Sequence, residues 1–112
     1  MVIQDRIIHV AIPDAWERAQ PTGRYSPDGY ETEGFIHCCA RVQLEGVLRD
    51  HFSGQECIVL LVLDTAKVSS PIRYERAANG EDYPHVYGPI EVTAVVDEID
   101  VRFEDGAWRL PA

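Results

Sequence analysis

The chain has 112 residues and a formal net charge of −9, from nineteen carboxylates against ten basic side chains. That length suits one domain with one core, and that charge repels phosphate backbones and anionic surfaces, so nucleic-acid and membrane partners are not expected. Nine of the ten cations are arginine, three cysteines is an odd count, and two of them, Cys38 and Cys39, are adjacent. A disulfide framework is not expected from such a pattern, and the cytoplasm is the expected compartment. Met1-Val2-Ile3-Gln4-Asp5-Arg6 lacks the form of a signal peptide, and the longest apolar run, Ile58 to Leu63, is far short of a membrane span.

Ile7 to Ile12 reads as a first strand interrupted by His9, a polar side chain that needs a partner. Pro13 to Ala19 predicts a short helix with proline in its first turn and Trp16 and Ala19 on one face. Gln20 to Glu33 holds prolines, glycines and carboxylates without a period and reads as a long loop. Phe35 to Cys38 follows as a strand opened by Gly34. A helix is expected over 40–52, with Val42, Val47, Leu48 and Phe52 inward and Gly54 at its exit.

Cys57 to Leu63 is apolar on both faces and reads as a central strand. Ile72 to Arg76 suits an edge strand after Pro71, and Ala77 to Asp82 suits a polar turn. Ile90 to Val96 is β-branched and continues with bends to Phe103, and Asp105-Gly106 signals a hairpin returning through Trp108 to Leu110. The expected class is α+β, with about six short antiparallel or mixed strands around two helices.

Chemistry concentrates in two stretches, Glu33-Gly34-Phe35-Ile36-His37-Cys38-Cys39 and Tyr83-Pro84-His85-Val86-Tyr87-Gly88-Pro89. Strand alternation puts His37 and Cys39 on one face, with Phe35 free to join them, and turns Cys38 toward the core. Prolines and a glycine constrain the second stretch into a fixed presentation of His85 and Tyr87, in the manner of a corner. His9, His37, His85 and Cys39 could ligate zinc, yet no CxxC, HExxH or HxxxH spacing is present, and no metal is expected. His51 reads as solvated. A zinc- or thiol-dependent hydrolase remains the weaker alternative.

The order of His9, Trp16, Glu33-Gly34-Phe35-Ile36-His37-Cys38, the apolar strand ending at Asp64, Arg73-Tyr74-Glu75 and Tyr83 to Pro89 resembles the small bacterial family of domains of unknown function numbered 952. The resemblance runs from about Ile7 to Val96 within a single domain spanning 1–112, leaving a C-terminal hairpin over 97–112. It implies an ADP-ribosyltransferase-like fold: two small facing β-sheets, mixed or antiparallel, with about two helices and a central cleft. It also implies NAD as substrate, with ADP-ribosyl transfer or glycohydrolysis in a histidine-lined cleft. His9, His37 and His85 would then be the catalytic group, with His9 against the ribose. Ala11 and Cys39 depart from the hydroxyl residues usual at those places.

Cleaving a nicotinamide–ribose bond builds positive charge on the sugar. Phe35 and Tyr87 could form the wall for the base, Arg41 or Arg73 could meet the pyrophosphate, and Glu75 or Glu91 could supply the acid. The alternative on the same fold is a binding module that holds a nucleotide or small anion without turnover.

Overall fold

The computed structural model describes residues 3–111. The opening Met1-Val2 and the final Ala112 of the expected hairpin lie outside the described residues. Strand β1 (Arg6–Ala11) leads into helix α1 (Pro13–Ala19), which begins on the expected proline and buries Ala15, Trp16 and Ala19. The segment expected as a structureless loop holds a 3-10 turn (Gln20–Thr22), a two-residue strand β2 (Arg24–Tyr25) and a one-turn helix α2 (Tyr30–Glu33). A two-residue ladder has no period to read, so residue pattern could not reveal it. Gly34 closes α2 at φ +84°, its N–H donating to Tyr30 O, a left-handed turn that favours glycine.

Strand β3 is only Ile36–His37. The expected helix over 40–52 is a 3-10 turn (Arg41–Gln43) followed by α3 (Leu44–His51). The change of period rotates the early residues out of phase, so Val42 is 91% exposed while Leu44 and Leu48 take the inward face. Strands β4 (Cys57–Asp64), β5 (Ile72–Arg76), β6 (Asp82–Val86), β7 (Ile90–Glu91), β8 (Val95–Glu104) and β9 (Ala107–Trp108) complete the chain. The described residues thus form nine strands and three α-helices rather than about six and two.

Every ladder is antiparallel. The strand order is β1-β4-β8-β9 in the largest sheet and β3-β6-β5 in the second, with a separate β2-β7 ladder. β4 is central, as its two-sided apolarity predicts. Val59, Leu61 and Leu63 enter one buried cluster with Ile7, Ala11, Trp16, Tyr25, Ile36, Cys38 and Val86. Ile58 and Leu60 enter the other with Ile8, Val10, Cys39, Leu44, Leu48 and Val101. Period-two alternation therefore supplies both faces of one sheet. Asp105 and Gly106, both at positive φ, turn β8 into β9 as the hairpin signal required.

The segment around His85 is a strand in the middle of the second sheet, not a corner. Pro84 fits there because a residue's N–H and C=O point to the same side of an antiparallel strand. On that side β3 has already ended, and the Pro84 carbonyl needs only the Cys38 N–H, at 3.1 Å. Just beyond the strand, Gly88 lies so close to Ser70 that a Cβ would overlap Ser70 Oγ and stand 2.9 Å from its Cβ. No helix among the described residues is long and apolar enough to cross a membrane.

Candidate functional site

The outward face of the second sheet carries a row of matched positions across three strands: His37 opposite His85, and His85 opposite Arg73. Alternation adds Phe35, Tyr87 and Glu75 to this face. Phe35 stacks on His85 with ring centroids 4.1 Å apart and 18° between planes. His37 meets His85 edge to face at 5.2 Å, and Tyr87 lies 5.4 Å from Phe35. The two imidazoles and the aromatic wall expected from the sequence are one cluster.

Each imidazole has its own carboxylate. His85 Nδ1 lies 2.7 Å from Glu75 Oε1, and Tyr87 O–H donates to the same oxygen. His37 Nε2 lies 2.6 Å from Glu33 Oε2, at an i,i+4 spacing that runs from the end of α2 into β3. The Tyr87 and His85 hydrogen bonds favour ionised Glu75 and hold its carboxyl below the usual range; the same bond raises the Tyr87 hydroxyl. In neutral His85, Nδ1–H donates to Glu75 and the lone pair sits on Nε2, which no group among the described residues engages. Arg73 lies with its guanidinium carbon 5.0 Å from the Tyr87 ring centre.

His9 is placed differently from its two counterparts. It faces the same core cluster as Ile7 and Ala11 and is 5% exposed, and both ring nitrogens are taken. Nδ1 lies 2.6 Å from His37 O, so a carbonyl acceptor fixes the proton on Nδ1. Nε2, 2.8 Å from Tyr25 Oη, then accepts the tyrosine O–H. Burial drives the imidazole pKa down to about 4 and raises the Tyr25 hydroxyl, so both are neutral near pH 7. A ribose clamp needs a free nitrogen, and His9 has none. Its hydrogen bond instead pins the backbone of the residue that carries His37.

A cleft of about 710 Å³ runs along this assembly, lined by apolar residues from β1 and α3 and by His9, His37, His85, Tyr25, Tyr83, Asp28, Glu33 and His51. The volume is in the small-ligand range. Glu75, Tyr87 and Arg73 are not in the lining; Glu75 and Tyr87 bond to one another behind His85. Arg41 lies at a second groove with Trp108 and Leu110, its Nη2 donating to Pro111 O at 3.2 Å. Glu91 accepts from Ser69 N and stands in the β2-β7 ladder opposite Arg24, apart from the histidines. Of the two candidate acids, only Glu75 meets the cluster, and neither candidate arginine lines the cleft.

Both adjacent cysteines are buried, Cys38 on one side and Cys39 on the other, as alternation predicts. Burial pushes the Cys39 thiol up to about 12 and raises Cys38 as well, so neither is a thiolate near neutrality. Among the described residues, no three histidine, cysteine or acidic side chains gather in a metal-holding group. Sequence reasoning missed Glu33 as a site carboxylate, although its four-residue spacing from His37 was the available signal. It also missed Tyr25, whose partnership with His9 spans sixteen residues and is purely tertiary. His51 is exposed as read, yet it lines the cleft.

Small antiparallel sheets around a core strand, with a carboxylate-paired imidazole cluster at a cleft, define an α+β domain with one concentrated polar site. The profile of the family described as "Protein of unknown function (DUF952)" matches residues 10–98, and the chain belongs to this family. A crystal structure of protein CC0527 from Caulobacter crescentus is similar, with a TM-score of 0.83 and 27% identity over 93% of each chain. The solution structure of CC0527 gives a TM-score of 0.75 at 24% identity, covering 94% of this chain and 91% of that one. A search of curated proteins finds no match.

Proposed function

We propose that the cleft binds an N-ribosylated nicotinamide and cleaves its ribosyl bond, with His85 as general base; NAD belongs to this substrate class. One observation carries the reading. His85 lines the cleft, is held at Nδ1 by ionised Glu75 and has Nε2 unengaged by any group among the described residues, beside a second imidazole–carboxylate pair in the cleft wall. A carboxylate behind an imidazole fixes its tautomer and stabilises the imidazolium that forms when the base takes a proton.

In this reaction the C1′–N bond breaks and its electron pair neutralises the pyridinium nitrogen. Water or another hydroxyl acceptor bonds to C1′, and its proton passes to His85 Nε2. Glu33, in the lining, faces the positive charge that develops on the sugar, and Phe35 supplies an aromatic wall. Tyr87 and Glu75 act through His85, so they are positioning residues. His9 keeps β3 in place.

Nicotinamide release should be followed from the riboside, the mononucleotide and the dinucleotide. Release from at least one, lost in His85→Ala with thermal unfolding unchanged, is the expected result. Saturable binding without release from any would leave a binding module and remove the catalytic role.

A further inference from the structure

We infer that the cleft selects the phosphate-free member of this substrate class, a ribosylated pyridinium without a diphosphate. The inference rests on the ribosyl-cleavage reading and goes beyond it in specifying which ligand fits. None of the ten arginine and lysine side chains lines the cleft, whereas Asp28 and Glu33 do. A diphosphate is normally met by arginine forks, lysine or a cluster of backbone N–H groups at a helix start. Arg41 belongs to the other groove and donates to Pro111 O. Arg73 is committed to the far side of His85, over Tyr87. Arg18 is outside the lining, and its guanidinium pairs with Asp28 at 3.7 Å.

Nor does a helix terminus compensate. The start of α2 carries Glu31 and Glu33, and the start of α1, whose Ile12 and Ala15 line the cleft, carries Asp14 and a proline that lacks an N–H; these charges oppose an anion. A pyridinium presents the opposite chemistry. It is flat, apolar at its edges and positively charged, and the lining offers Phe35 and Tyr83 together with two carboxylates. Two added phosphates would bring negative charge against Asp28 and Glu33 in a protein already at −9. The same charges that favour the riboside disfavour the dinucleotide.

The test compares kcat/KM for nicotinamide riboside and NAD on the full chain at low and high salt. The expected result is at least about a tenfold preference for the riboside, narrowing as salt screens the carboxylates. Asp28 is almost fully exposed, so Asp28→Lys should leave the fold intact and shrink the preference. Equal or better turnover of NAD overturns the selectivity while leaving ribosyl cleavage standing. A preference that ignores both salt and Asp28→Lys overturns its electrostatic basis. Release from neither substrate overturns the inference together with the reading beneath it.

Discussion

His37 and His85 are register partners in the β3-β6 ladder, and their rings meet edge to face at 5.2 Å. Directly opposed side chains are the closest neighbours an antiparallel pair provides. Each ring turns one nitrogen to a separate carboxylate, Glu33 for one and Glu75 for the other. Each ring therefore has a carboxylate acceptor for one N–H. The asymmetry lies in exposure: the His37 side chain is 59% exposed and that of His85 only 15%. The more enclosed ring is therefore the better protected base.

Replacing that base has a defined signature. His85→Ala should lower nicotinamide release by about 10²–10⁴-fold, the usual contribution of a general base. Glu75→Gln keeps an oxygen for Tyr87 and His85 but removes the charge. It should cut kcat by about tenfold or more and leave KM nearly unchanged, because Glu75 stands outside the cleft lining. Steady-state kinetics separates the two parameters; a KM effect alone would remove Glu75 as a positioning residue.

The Tyr25 hydroxyl is the only polar group that His9 Nε2 meets among the described residues, and both residues are buried. Tyr25→Phe leaves that acceptor without a donor, which should cost about 1–3 kcal/mol of stability. Urea unfolding should show a lower midpoint with an unchanged slope. An unaltered midpoint would contradict the contact.

Acid sensitivity follows from the same imidazole. His9 titrates near 6.5 when unfolded and near 4 when folded, so between those values the unfolded chain binds the extra proton. Its contribution is fully present above about pH 6.5 and is lost as pH falls towards 4, a total on the order of 3 kcal/mol. The depressed carboxyls of Glu75 and Glu91 act in the same direction at lower pH, beneath the ordinary carboxylate range. Urea titrations from pH 7 to 4 should show the loss, and His9→Gln should flatten it.

Thiol chemistry offers an independent check on packing. Cys57 is exposed, whereas Cys38 and Cys39 are buried with raised pKa values. An aromatic disulfide reagent near pH 8 should modify one thiol rapidly in the native protein and all three after denaturation. Rapid native reaction of Cys39 would reopen a thiol role in the cleft.

Legibility in the sequence followed the range of the interaction. β4 was readable because both faces are apolar, and the last hairpin because Asp105-Gly106 specifies its turn. The pairing of His37 with His85 was foreshadowed only as two dense stretches, since register is a tertiary outcome. Val42 misled because a 3-10 turn shifted the phase of the following helix. Pro84 read as a corner because the early end of β3, which leaves its missing N–H without consequence, is not visible locally. His9 looked like a reactive group; only the fold showed that a carbonyl from β3 and a distant tyrosine occupy both its nitrogens.

Two consecutive peptide units behave as a rivet. Cys38 N–H is bonded to Pro84 O in one sheet, and Cys39 exchanges paired bonds of 2.8 Å with Ile8 in the other. The His9 Nδ1–His37 O contact adds a third tie one residue earlier, so three consecutive residues of one short run are fastened between the two sheets. His37 presents its ring from the first of these fastened residues, and Glu33 reaches it from beyond the Gly34 turn.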